Sequence, residues 1–123
     1  PSSLAQPILA PAVGGLLEGF VYSELLKQRT WSASTFTLHH FRDRDTAEVD
    51  IVVERADGSV IGIEVKAAQG VGSADFKGLQ FLQERVGNAF IGGVVLYTGN
   101  ARIPFGNHLW ALPISTLWSA TSP

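Results

Sequence analysis

Residues 47–68, AEVDIVVERADGSVIGIEVKAA, carry Asp50, Glu64 and Lys66 in a segment that otherwise reads as an amphipathic hairpin. The arms EVDIVVE and VIGIEVK flank ADGS, and loop length decides which side chains share a face, because a slip of one residue moves every side chain to the other side. A three-residue loop, Ala56-Asp57-Gly58, formed by a type I turn with Gly58 in the left-handed conformation, sets Arg55 opposite Ser59. Counting back from that pair, Asp50 opposes Glu64 and Glu48 opposes Lys66. Val49, Ile51, Val53, Ile61, Ile63 and Val65 then form one wholly apolar face. A two-residue Asp57-Gly58 loop would mix carboxylates into that face, so the hydrophobic pattern selects the longer loop.

Carboxylates directly opposite one another across a strand pair repel, and they are tolerated where something positive sits between them. Lys66 is one candidate for that charge and a divalent cation is the other. Carboxylate oxygens with room for water suit Mg²⁺ or Mn²⁺, which bind one or two carboxylates together with substrate phosphate oxygens. A phosphate-containing substrate is the expectation that follows. The plain alternative is a solvated face with a Glu48–Lys66 ion pair, which would contribute only ~0–1 kcal/mol. Glu-x-Lys is common by chance, and the opposing Asp50 is what gives it meaning here.

The elements that must position these residues follow from periodicity. The opening PSSLAQPILAPAV has Pro1, Pro7 and Pro11 at close spacing and reads as an extended arm or linker over 1–13. From Gly14, the segment GGLLEGFVYSELLKQRTW places Leu17, Val21 and Leu25 on one stripe, and Lys27, Gln28 and Arg29 close the last turn, predicting a helix over about 15–29. STFTLHHF reads as a strand and RDRDTA as a polar turn into the hairpin. VGSADFKGLQFLQERVG predicts a second helix, with Ser73 as the N-cap, Phe76, Leu79, Phe81 and Leu82 as its apolar stripe and Gly87 as its stop. AFIGGVVLYTG is a strand-length apolar run without alternation, which implies cover on both faces. The tail NHLWALPISTLW holds two of the three tryptophans and predicts one short strand, then a final helical turn opened by Pro113. The sum is an α/β sandwich, a central mixed β-sheet flanked by helices.

Bulk properties narrow the chemistry. A chain of 123 residues is one domain's worth and buries about two-thirds of its unfolded surface. With 46% hydrophobic and 16% charged residues, the composition is globular. Cys is absent, which removes disulfides, zinc-thiolate sites and thiol catalysis. A formal net charge of −2 gives no overall basic footprint, so any contact with nucleic acid must use local positive charge. No run of about 18 apolar residues and no signal-peptide layout is present, so the expectation is a cytoplasmic protein without a membrane partner. The absence of Met and the start at Pro1 suggest a piece of a longer polypeptide.

Asp50 on one arm and Glu64-Val65-Lys66 on the next resemble the PD-(D/E)XK nuclease superfamily, with Val49 standing where the signature has proline. Gly14-x-x-x-Glu18-x-x-Val21-x-x-x-Leu25 is similar to the first helix of the archaeal Holliday-junction resolvase branch, where an acidic residue on that helix joins the metal site. Glu18 shares the stripe of Val21 and Leu25, and Glu24 is the competing acid. More closely, the pattern from Gly14 to Trp118 resembles the C-terminal domain of unknown function attached to bacterial and archaeal AAA-type ATPases.

The resemblance implies a restriction-endonuclease-like fold over 14–123 and an ATPase domain preceding Pro1, through which the protein would oligomerise. It implies Mg²⁺ (or Mn²⁺) held by Asp50, Glu64 and the Val65 carbonyl, with Glu18 completing the shell. Lys66 would orient the attacking water or stabilise developing charge. Lys77, Gln69, Gln80 and Arg42 are the candidates for phosphate or DNA contacts. The alternative function is a catalytically silent nucleic-acid-docking or regulatory module of the ATPase. A third reading, an interaction domain with a solvated acidic face, predicts that Glu18 faces away from Asp50.

Other polar residues favour structural roles. His39 and His40 are adjacent on a strand, so their side chains diverge and cannot chelate one ion together. Arg42 and Arg44 beside Asp43 and Asp45 read as a self-paired solvated loop. Trp31, Trp110 and Trp118 read as core or interface residues rather than base-stacking platforms. No phosphate-binding glycine motif or nucleophile elbow occurs.

Overall fold

The computed structural model describes Gly19 and residues 21–25, 36–43 and 47–116. Helix α1 is seen over residues 21–25. Strands β1 (Phe36–Arg42), β2 (Glu48–Arg55) and β3 (Val60–Lys66) follow. A 3₁₀ turn at Ser73–Phe76 leads into helix α2 (Lys77–Val86), and β4 (Phe90–Tyr97), β5 (Ile103–Gly106) and β6 (Leu109–Pro113) complete the chain of elements. The six strands form one mixed sheet in the order β1-β2-β3-β4-β6-β5. β2 runs antiparallel to both β1 and β3, β4 lies parallel to both β3 and β6, and β5 closes the far edge antiparallel to β6.

Each helix covers its own face of this sheet. On the α2 side, Leu79 and Leu82 pack with Phe76, Val49, Val52, Val60, Val95, Tyr97 and Leu109. On the α1 side, Val21 and Leu25 pack with Ile51, Val53, Ile63 and Leu96. Burying a side chain such as Leu79 or Val21, both 0% exposed, contributes about 1.5–3 kcal/mol. The continuous apolar run of β4 is explained by this two-sided cover, since Val95 serves one cluster and Leu96 the other.

The hairpin turn forms as the pattern requires. Gly58 has φ +89°, the Gly58 amide donates to the Arg55 carbonyl, and the Arg55 amide donates to the carbonyl of its register partner Ser59 at 2.9 Å. The ladder Ile51↔Ile63, Val52↔Gly62, Val53↔Ile61 and Glu54↔Val60 follows from it.

Three expectations are corrected. Val49 does not share a face with Ile51 and Val53 but joins the α2-side cluster. The cause is a β-bulge: His39 pairs with Val52 and Phe41 with Val49, so two steps on β1 oppose three on β2, and Asp50 lies inside the irregularity. An unforeseen strand, β5, precedes the tail, whose one expected strand is β6, and Pro113 ends that strand rather than opening a helical turn. The N-cap of the 3₁₀ turn is Gly72 rather than Ser73. The predicted arm over 1–13, both ends of the first helix and most of the final helix lie outside the described residues.

Candidate functional site

The site forms where the β2–β3 ladder stops. Beyond Ile51↔Ile63, carboxylates take over the inter-strand hydrogen bonds. The Asp50 amide donates to Glu64 Oε1 at 3.3 Å, and the Val65 amide donates to Asp50 Oδ2 at 2.9 Å. The bulge makes this exchange, because the extra residue in β2 frees Asp50 from regular pairing and turns its side chain onto the β3 backbone. The two carboxyl groups also lie within hydrogen-bonding reach of each other.

Electrostatics at this pair are severe. Glu64 is pushed up to about 10, first by burial, then by the charge of Asp50 and the hydrogen bond between the two carboxyls. A proton kept on Glu64 relieves the repulsion between the two groups. Helix α2 enforces the burial: a Cβ on Gly78 would come within 3.0 Å of Glu64 Oε2 and would overlap the Glu48 carbonyl oxygen, so only glycine lets the helix settle here.

Lys66, two residues beyond Glu64, donates from Nζ to Asp75 Oδ2 at 2.7 Å. Asp75 was not foreseen. Burial alone would raise its carboxyl, but hydrogen bonds from Lys66 and the Gly72 amide outweigh it and hold Asp75 below the usual carboxylate range. Glu64, Val65, Lys66, Ala74, Asp75 and Val95 line a cleft of about 260 Å³. Glu48, expected opposite Lys66, instead pairs with His40 Nε2 at 3.3 Å. His40 Nδ1 also reaches the Asp50 carbonyl at 3.3 Å, while His39 turns to Glu54 at 2.9 Å, so the histidines diverge as expected.

The remaining candidates sit apart. Lys77, Gln69, Gln80 and Arg42 are solvent-exposed, and among the described residues none hydrogen-bonds to Asp50, Glu64 or Lys66. Glu18 lies outside the described residues, whereas Glu24 is turned inward beside Val21 and Leu25, 8% exposed. Asp43 pairs with Arg85 of α2 at 3.1 Å rather than within its own loop, and that guanidinium lies 5.7 Å from the Phe41 ring centroid and 5.4 Å from that of Phe81. Arg44, Asp45, Trp31 and Trp118 are outside the described residues, and Trp110 is 45% exposed. Among the described residues, no cluster of three or more His, Asp or Glu side chains converges on one point. No helix there is long and apolar enough to cross a membrane.

A family profile, Domain of unknown function (DUF4143), matches residues 13–117. The chain belongs to this family. No curated protein and no solved structure matches it. The match spans both helices' sequence segments and the whole sheet, so the Asp50–Glu64 pair and Lys66 lie within the family domain.

Proposed function

We propose that this DUF4143 domain is a phosphodiester-hydrolysing module of the PD-(D/E)XK type, with a restriction-endonuclease-like fold and an AAA-type ATPase as its neighbour in the full-length chain. The observation that carries this reading is the exchange of ladder hydrogen bonds for carboxylates at Asp50 and Glu64, with Lys66 two residues on. A part-buried Asp50 beside a Glu64 that holds its proton is also a donor set for a hard divalent cation, because both side chains offer only oxygen and the displaced proton leaves the charge to match. Asp50, Glu64 and the Val65 carbonyl would hold Mg²⁺ or Mn²⁺, with Glu18 of the first helix completing the shell; among the described residues Glu24, buried beside Val21 and Leu25, forms no cluster with them. Such an ion lowers the pKa of bound water and neutralises charge on a phosphodiester.

The chain's own groups do the rest. Asp50 is oriented by the Val65 amide, so its second oxygen is the one left for coordination. The Lys66 ammonium stands beside the cleft as a point charge for a phosphate oxygen or the attacking water. Lys77 and Gln80, exposed along α2, are the candidates for backbone contacts, with Gln69 and Arg42 at the sheet ends.

A second reading has its own support. The net charge of −2 and the engagement of Lys66 by Asp75 favour a silent module that docks nucleic acid or regulates the ATPase. Cleavage assays on branched and linear DNA with Mg²⁺ or Mn²⁺, run beside Asp50→Asn, separate the two. Metal-dependent nicking lost in the variant supports the nuclease; DNA retention without nicking in either protein supports docking.

A further inference from the structure

Lys66 has a long, flexible stem, and holding its ammonium in one place requires a partner that is itself immobile. Asp75 meets that requirement. Its amide donates to the Gly72 carbonyl at 3.0 Å, and its Oδ2 accepts the Gly72 amide at 2.8 Å, so backbone and side chain close a reciprocal cap at the 3₁₀ turn. The neighbouring Phe76, 1% exposed, stacks on Phe105 with centroids 4.1 Å apart and rings 7° from parallel. The turn is thereby pinned to the core, and the position of the carboxylate does not depend on Lys66.

The same Oδ2 that receives the cap also receives Lys66 Nζ at 2.7 Å. A helix cap alone needs no lysine, and a solvated lysine needs no capped acid. We propose that Asp75 is a positioning residue for Lys66: it fixes the ammonium on the wall of the 260 Å³ cleft beside Glu64, leaving two of the three N–H donors for an anionic group that enters. The identity of that anion, a phosphodiester oxygen, rests on the function proposed above; the hold on Lys66 does not.

The test measures acylation of Lys66 by an N-hydroxysuccinimide ester in the whole 123-residue chain, read by peptide mass spectrometry against the exposed Lys77 as internal reference. Asp75→Asn keeps an acceptor for the Gly72 amide while removing the charge, and it is expected to raise the Lys66:Lys77 ratio about threefold to fivefold. Asp75→Glu restores the charge and is expected to bring the ratio back towards wild type. Should the Asn variant unfold, wild type in about 1 M NaCl supplies the same contrast, because screening at that ionic strength weakens a part-exposed pair. An unchanged ratio in Asp75→Asn and in high salt overturns the inference, even where the wild type cleaves DNA. A raised ratio in a protein that cleaves no DNA upholds the hold and removes the phosphodiester reading.

Discussion

The two ends of one hairpin treat their acids in opposite ways. At the turn, Asp57 accepts the Ser59 hydroxyl at 2.6 Å and the Ser59 amide at 2.9 Å in open solvent, and these bonds hold its carboxyl below the usual range. At the open end, Glu64 lies under helix α2 against Asp50, and burial with a like charge drives it up. Sequence spacing is equally tidy at both ends. The difference is that the turn acid satisfies a local backbone need in solvent, whereas the other two accept amides across the strands in a part-buried pair whose like charges oppose each other. Such a pair is where the proposed function is sought.

Four changes would break or sharpen this contrast. Gly78→Ala should have the largest effect, since its Cβ meets the Glu48 carbonyl and Glu64 at once: a loss of about 3 kcal/mol in chemical denaturation, with the α2-side core loosened. Glu64→Gln should act in the other direction, raising stability by on the order of 2 kcal/mol at pH 8 while leaving it almost unchanged at pH 4. The sign follows from linkage. Glu64 titrates near 4.5 unfolded and near 10 folded, so its contribution is complete below the lower value and is lost as pH rises between them. A stability curve flat across that range in wild type would contradict the buried pair.

Gly58→Ala at the turn should cost about 1 kcal/mol through its positive φ alone, without altering the Asp50–Glu64 end. Asp57→Ala is the smallest, shifting the melting midpoint by no more than about 2 °C. Asp57 stabilises above its unfolded pKa and loses that contribution in acid, the reverse of Glu64. Melting curves at pH 3 and pH 9 on both variants would display the opposite slopes directly.

What could be read in advance follows the range of the forces involved. The three-residue loop and the 51–54 register were legible because apolar alternation and Gly58 encode them locally. The bulge was not, because it arises from how β1 pairs with β2, and the shift of Val49 to the opposite cluster came with it. Edge strand β5 escaped notice because Ile103-Pro104-Phe105-Gly106 is short and its proline donates no ladder bond. Asp50 and Glu64 were predicted to be opposed and the structure brings them together; the partner of Lys66 was expected on Glu48 and lies on Asp75, nine residues along the chain. A Gly-x-x-Asp cap ahead of an apolar stripe was the available signal for Asp75.

The proposal most directly open to test is that Asp50 and Glu64 would take up a divalent cation in exchange for the proton that burial keeps on Glu64. Calorimetric titration of Mn²⁺ into wild type and Asp50→Asn, repeated in buffers of different ionisation enthalpy, measures binding and proton release together. The account predicts saturable binding in the wild type with release of about one proton, and its loss in the variant. Absence of binding in the wild type at millimolar metal, or identical binding in Asp50→Asn, would contradict it.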